Sequence, residues 1–418
     1  MHQVLIKGSW LDALSGASHD IRNPATLQSL GAAADCGVAD VERAVAAATA
    51  AQSAWAATAI ETRMALLASL ATEVRAHATV LAPLLTQETG KPLAESYDCT
   101  GWAADCLAAG KEPAPPASAS RVIGVCPTGD FPLLRMAATI GPAVAAGCTV
   151  ICKPPRGQPL ASLRFAELCS RFPPGVINLL TGGEEVTTAL AAHPGVADGI
   201  AERSLRECVP AERLALDPIL VCRDADLELA VAGVAWARLL NGGQTVGASR
   251  SVYVEAPVAR DFAERMHAYV AFLEAGNPSK PETDLGPLLT HEAARHVEAQ
   301  VARALKEGAV LKLGGRAFRP WGLSGHFVQP TVMTHVLNGN SATRDPIRGP
   351  VVAITPVADV KEAITLMTVA GHTQGLSYYS ARSPSALAAP FPATWELQHV
   401  TTSRTWWYPY AARSRPGI

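Results

Sequence analysis

Three apolar runs separated by two helical stretches constrain this chain most. RVIGVCPTG (121–129), GCTVICKP (147–154) and VINLLTG (176–182) read as strands, with helices over 132–146 and 160–169 between them. Strands that alternate with helices join in a parallel sheet covered on both faces, because a parallel crossover needs the length of a helix. The runs are apolar throughout, as strands buried on both faces are. The rhythm returns with PILVC (218–222), a helix over 225–240, SVYVE (251–255) and a helix over 258–273. It continues through AVLKLGG (309–315), HFVQPTVM (326–333), PVVAITPV (350–357) and a helix over 360–370. The chain therefore reads as two α/β units, the first built like a nucleotide-binding domain although it carries no G-x-G-x-x-G fingerprint.

Ahead of the first strand lie long helical runs. Val41, Val45 and Ala48 form one apolar stripe, and Leu66, Leu67, Leu70 and Val74 another, with Gly90 and Pro92 interrupting near the end. KEPAPPASAS (111–120) reads as a stiff polar connector.

A chain of 418 residues exceeds what one core usually supports, so two sizeable domains are expected. With 35 Lys and Arg against 37 Asp and Glu, nothing points to nucleic acid or an anionic membrane as partner. MHQVLIKGSWLDALSG has no apolar run of signal-peptide type, and no window offers eighteen uncharged apolar residues, so a soluble cytoplasmic protein is expected. The nine cysteines lack metal-site spacing and read as buried thiols. None lies beyond Cys222, so thiol chemistry would have to come from the first half. HEAARH (291–296) fails as a zinc motif, because its histidines are five apart rather than four, and reads as a solvated helix face.

Nine segments occur in an order that resembles the aldehyde dehydrogenase superfamily across nearly the whole chain: QETGKPLAES (87–96), DFPLL (130–134), GPAVAAGCTVICKP (141–154), FPPGVINLLTG (172–182), DADLELAV (224–231), NGGQ (241–244), GPLLT (286–290), FVQPTV (327–332) and IRGPVV (347–352). The resemblance implies a variant Rossmann cofactor domain over 1–211, an α/β catalytic-type domain over 212–395, and a C-terminal strand and tail over 396–418 that makes a subunit contact. It also implies NAD or NADP as cofactor and a cysteine that attacks the aldehyde, since a thiolate is nucleophilic near neutral pH and leaves readily.

The matching positions depart from that pattern. The nucleophile's position, two after Gln244, is Val246, and the nearby hydroxyls of Thr245 and Ser249 occupy no matching place. The amide that would donate to the developing oxyanion is replaced by Asp130, an acceptor when ionised, which also reads as a helix N-cap ahead of Pro132. The general base matches Glu212, which also reads as a surface carboxylate, without the glycines that should follow it. Lys153 matches the lysine that reaches the adenosine ribose, while the acidic ribose partner matches Arg156. Pro346 and Arg348 replace the glutamate and phenylalanine beside the nicotinamide ribose.

These residues lead to a non-catalytic family member acting as a structural or regulatory subunit, with no cofactor expected. It would form a homo-oligomer or a hetero-oligomer with an active aldehyde dehydrogenase or a pathway enzyme, and the aromatic tail Trp406, Trp407 and Tyr408 favours an interface. The alternative is an NAD(P)-dependent dehydrogenase with an unusual or partner-supplied nucleophile. A small-anion binder using Lys153 and Arg156 is a third reading.

Overall fold

The computed structural model describes residues 2–109, 121–200, 218–245, 251–337, 339–345, 347–370, 375–383 and 396–400. The chain divides into two units, Met1–Val209 and Pro210–Ile418.

In the first unit, β5 (Val122–Val125), β6 (Thr149–Cys152), β7 (Ile177–Leu179) and β8 (Val196–Ile200) are the alternating strands, paired in parallel in the order β7-β6-β5-β8. Two strands precede them that the alternation does not reveal. β1 (Val4–Ile6) and β2 (Ser9–Leu11) form a hairpin, and β1 pairs antiparallel with β7, extending the sheet to six strands. Lys7 and Gly8 both take positive φ, the geometry a two-residue hairpin turn requires. β3 (Ser18–Arg22) and β4 (Ser29–Ala34) pair separately.

The helices of this unit are α1 (Val38–Ala56), α2 (Ile60–Ala76), α3 (Ala78–Thr89), α4 (Leu93–Ala109), α5 (Pro132–Ala145), α6 (Leu160–Leu168) and α7 (Glu184–Ala192). Val41, Val45 and Ala48 of α1 join Val4, Ile151, Leu180 and Leu190 in one core. Leu67, Leu70 and Val74 of α2 are buried and Leu66 is half-buried. Gly90 ends α3 in the left-handed conformation, its N–H donating to the Thr86 carbonyl, so the break expected at Gly90 and Pro92 is a helix cap.

In the second unit the strands are β9 (Ile219–Val221), β10 (Val252–Glu255), β11 (Val310–Leu313), β12 (Ala317–Phe318), β13 (Phe327–Val328), β14 (Thr331–Thr334), β15 (Val351–Val357), β16 (Gly375–Tyr379) and β17 (Glu396–His399). Seven form a sheet in the order β11-β14-β15-β10-β9-β16-β17, parallel except at β11. The sequence reads HFVQPTVM as one strand, but the segment breaks at Pro330, which has no N–H to give a ladder. β13 pairs with β12, while β14 enters the main sheet. Glu396–His399, assigned from the sequence to a terminal segment, is an edge strand of this sheet, and the aromatic tail at 406–408 lies outside the described residues.

The helices here are α8 (Leu227–Leu239), α9 (Ala256–Ala271), α10 (His291–Lys306), α11 (Ser341–Arg344) and α12 (Val360–Val369). Asp226, Thr290 and Asp359 cap α8, α10 and α12 with side-chain oxygens on amide donors of the first turn. No helix among the described residues is long and apolar enough to cross a membrane.

Candidate functional site

The NGGQ segment follows α8 as a turn in which Asn241, Gly242 and Gly243 take φ of 55°, 63° and 72°. Gly243 has a steric reason to be glycine, since a Cβ there would lie 1.9 Å from the Gly349 carbonyl oxygen. The turn is therefore seated on the IRGPVV segment. Arg238 reinforces the contact from the last turn of α8, with Nε and Nη2 donating to the Val351 carbonyl at 3.0 and 2.8 Å. Gln244 ties in a third motif: its Nε2 donates to the Pro287 carbonyl at 3.3 Å and its Oε1 accepts from the Leu289 amide at 3.0 Å. Three of the nine segments thus converge around one buried turn.

The side chains expected to react beyond it are not brought into view. Val246 and Ser249 lie outside the described residues, as do Glu212 and Pro346. Thr245 is buried with its hydroxyl on the Leu240 carbonyl at 3.4 Å, a packing role. Arg348 is exposed. Cys222 is the only cysteine of the second unit, and burial, with Glu255 and Asp224 nearby, pushes its thiol up to about 12. It is a poor nucleophile at neutral pH.

In the first unit, Asp130 is not the helix cap that Pro132 suggests, because Phe131 occupies the cap position and α5 has no side-chain cap bond. The buried Asp130 carboxylate instead meets Arg135 in a fork, with Nε to Oδ1 at 2.9 Å and Nη2 to Oδ2 at 2.8 Å. Thr128 donates its hydroxyl to Oδ1 at 2.6 Å. Burial alone would raise this carboxyl, but the Arg135 bonds and charge, aided by Thr128 and Lys91, hold it below the usual carboxylate range. Asp130 is an anion at neutral pH whose oxygens accept from Arg135 and Thr128 and, unlike an amide, have no hydrogen to donate.

Lys91 and Glu88, from QETGKPLAES, are polar residues whose partners the sequence does not disclose. Buried Lys91 donates Nζ to the Asp130 backbone carbonyl at 2.8 Å and lies 3.3 Å from the centre of the Phe131 ring. Burial lowers its ammonium's proton affinity, partly offset by Cys99, Glu95 and Asp130. Glu88 accepts the Leu160 and Ala161 amides at 2.5 and 3.1 Å, covering the start of α6.

For an adenine dinucleotide the first unit fits at one position and not at another. Lys153 follows β6 as a mostly buried residue; desolvation lowers its ammonium's proton affinity against the pull of Cys126 and Glu184, and no hydrogen bond ties that ammonium to a described residue. A cation held so is suited to ribose or phosphate oxygens. Arg156, where an acceptor for ribose hydroxyls is expected, is paired with Asp35 at 2.6 Å and offers only donors.

The aldehyde dehydrogenase family model matches residues 10–114 and 122–376. The chain belongs to the aldehyde dehydrogenase family. Family members use NAD(P), and aldehyde dehydrogenases are commonly oligomeric. The chain is similar to the succinate-semialdehyde dehydrogenase [NADP(+)] of Escherichia coli, 31% identical over 412 residues that cover 90% of this chain and 84% of the relative. It is 30% identical to the glutarate-semialdehyde dehydrogenase of Pseudomonas aeruginosa over 433 residues, covering 95% and 88%. Among solved structures, a putative aldehyde dehydrogenase from Burkholderia cenocepacia superposes with a TM-score of 0.86 at 28% identity, covering 97% of this chain and 90% of that one. The α/β aldehyde dehydrogenase fold expected from the sequence is the fold observed. The relatives' names favour the enzymatic alternative over the non-catalytic reading, and NAD(P) over no cofactor.

Proposed function

We propose that the chain is an NAD(P)-linked dehydrogenase of the semialdehyde class whose carbonyl-attacking group is not residue 246. The similarity to semialdehyde dehydrogenases over 90% of the chain carries this reading. The seated NGGQ turn and the Lys153 ammonium, which no described residue engages by a hydrogen bond, support it. A bound nicotinamide would supply the hydride acceptor for the adduct formed when a nucleophile adds to the aldehyde carbon. Lys153 would hold the adenosine side, and a thiol from a partner chain, or water, would supply the nucleophile that valine lacks. Arg156 would favour NADP over NAD only by exchanging Asp35 for the extra phosphate, which an arginine matches better than free hydroxyls.

The test is the appearance of reduced cofactor with succinate semialdehyde and NADP, by the purified chain and by its Val246→Cys variant. Turnover that rises about a hundred-fold in V246C shows a working site short of one thiol. Tighter NADP than NAD binding by about ten-fold, reversed in Arg156→Glu, places the adenosine end on this residue. Absence of both cofactor binding and turnover in both proteins overturns the proposal.

A second reading, a structural or regulatory subunit, is favoured by specific observations. The Asp130–Arg135 fork fixes a carboxylate where an amide donor is expected, and Arg156 is engaged by Asp35. That reading requires the chain to alter the activity or assembly of an active dehydrogenase while binding no cofactor itself.

A further inference from the structure

The HEAARH segment has no place in the dehydrogenase reading, yet one face of it lines a cavity. Helix α10 contributes His291, Arg295 and Glu298, and the β12–β13 pair with its connection contributes Phe318, Arg319 and His326. The cavity holds about 310 Å³, enough for a small organic ligand. Phe318 and Phe327 meet edge to face at 6.0 Å between ring centres and give it an apolar wall. His291 and His326 lie 5.3 Å apart, centre to centre.

Charge decides what such a cavity takes. Arg295 and Arg319 are exposed, and neither makes an ion pair or hydrogen bond with a described residue. The one carboxylate in the lining, Glu298, is turned to the Ala317 amide, which it accepts at 2.6 Å. Two guanidinium forks that no described residue engages and two imidazoles therefore surround the space, against the one lining carboxylate, Glu298, whose Oε1 accepts the Ala317 amide. Arginine forks match the geometry of phosphate, sulfate and carboxylate oxygens.

We propose that this cavity of the second unit is a binding site for a dianionic oxyanion, such as a phosphate group, held between Arg295 and Arg319 with His291 and His326 as further donors. His326 makes binding sensitive to pH. Burial and the neighbouring His291 lower the proton affinity of His326, with Glu292 acting in the opposite sense and Arg319 in the same one. An anion reverses that balance, so binding tightens as pH falls through the histidine range.

The test is titration calorimetry of the full chain with sulfate, which stays a dianion while His326 titrates, at about one pH unit below and above the ordinary histidine value. Saturable binding is expected at the lower pH, weakened roughly ten-fold in Arg295→Gln and in Arg319→Gln. Both side chains are exposed, so unchanged thermal unfolding without ligand shows that the variants fold. Phenyl phosphate separates the sources: tighter binding than sulfate assigns the aromatic wall to an organic phosphate, and equal binding assigns the site to free oxyanions. Absence of saturable binding, or binding that survives both substitutions, overturns the proposal.

Discussion

The NGGQ turn of the second unit and the Thr128–Arg135 stretch of the first hold their shapes by opposite means. The turn is set by backbone: three consecutive left-handed residues, a glycine against a carbonyl, and Gln244 bonding main-chain groups on another loop. These constraints act through the main chain and the Gln244 side chain alone. The Thr128–Arg135 stretch is set by side chains. A carboxylate at 130 is tolerable in a buried place because Arg135 and Thr128 neutralise and satisfy it.

The sharpest way to break this comparison is at Gly243. A methyl group placed 1.9 Å from the Gly349 oxygen, on a backbone with φ of 72°, forces the IRGPVV loop away from the turn. Gly243→Ala should cost about 4 kcal/mol or more in urea unfolding, in the range of severe steric mechanisms. A loss below about 1 kcal/mol would mean that the two segments are not pressed together.

Arg135 tests the other region. Arg135→Leu removes the fork that compensates the buried Asp130 charge, at a cost of about 3–5 kcal/mol, whereas the double variant Asp130→Asn/Arg135→Leu should recover most of it. Additive losses in this cycle would show that the fork is not what makes the carboxylate acceptable.

What the sequence disclosed divides along the same line. Backbone-determined features were legible: the order of the nine segments, the alternation of strands and helices, the break at Gly90 and the stripes on α1 and α2 all follow from local pattern. Partnerships were not. Asp130 ahead of Phe-Pro looks like a cap, and nothing local reveals that its carboxylate turns to an arginine five residues on. Glu88 and Lys91 stand out only as part of the QETGKPLAES segment, and their partners lie 72 and 39 residues away. The β1–β2 hairpin was hidden because its strands are three residues each, too short for a period to show. The cation-lined cavity was missed because His326 and Arg319 reach α10 only through the fold.

Glu88 offers the finest comparison, because it is a buried carboxylate without the cation that Asp130 has. Burial pushes its carboxyl up to about 8, only partly countered by the Ala161 and Leu160 amides, whereas Asp130 is held below the usual range. The two therefore bend the stability curve in opposite senses. For Asp130 the folded value lies below the unfolded one, so its contribution is present at neutral pH and is lost as pH falls through the folded value. For Glu88 the folded value lies above, so stability is fullest below the ordinary value of 4.5 and declines as pH climbs towards about 8, then levels off. Glu88→Gln keeps an oxygen for the amides that open α6 and removes the ionisation. Its unfolding free energy should be lower than that of the parent by about 1 kcal/mol in acid, where one acceptor is lost, with the decline between pH 4.5 and 8 flattened. An unaltered slope across that interval would show that Glu88 ionises freely and that the α6 amides, rather than burial, govern it.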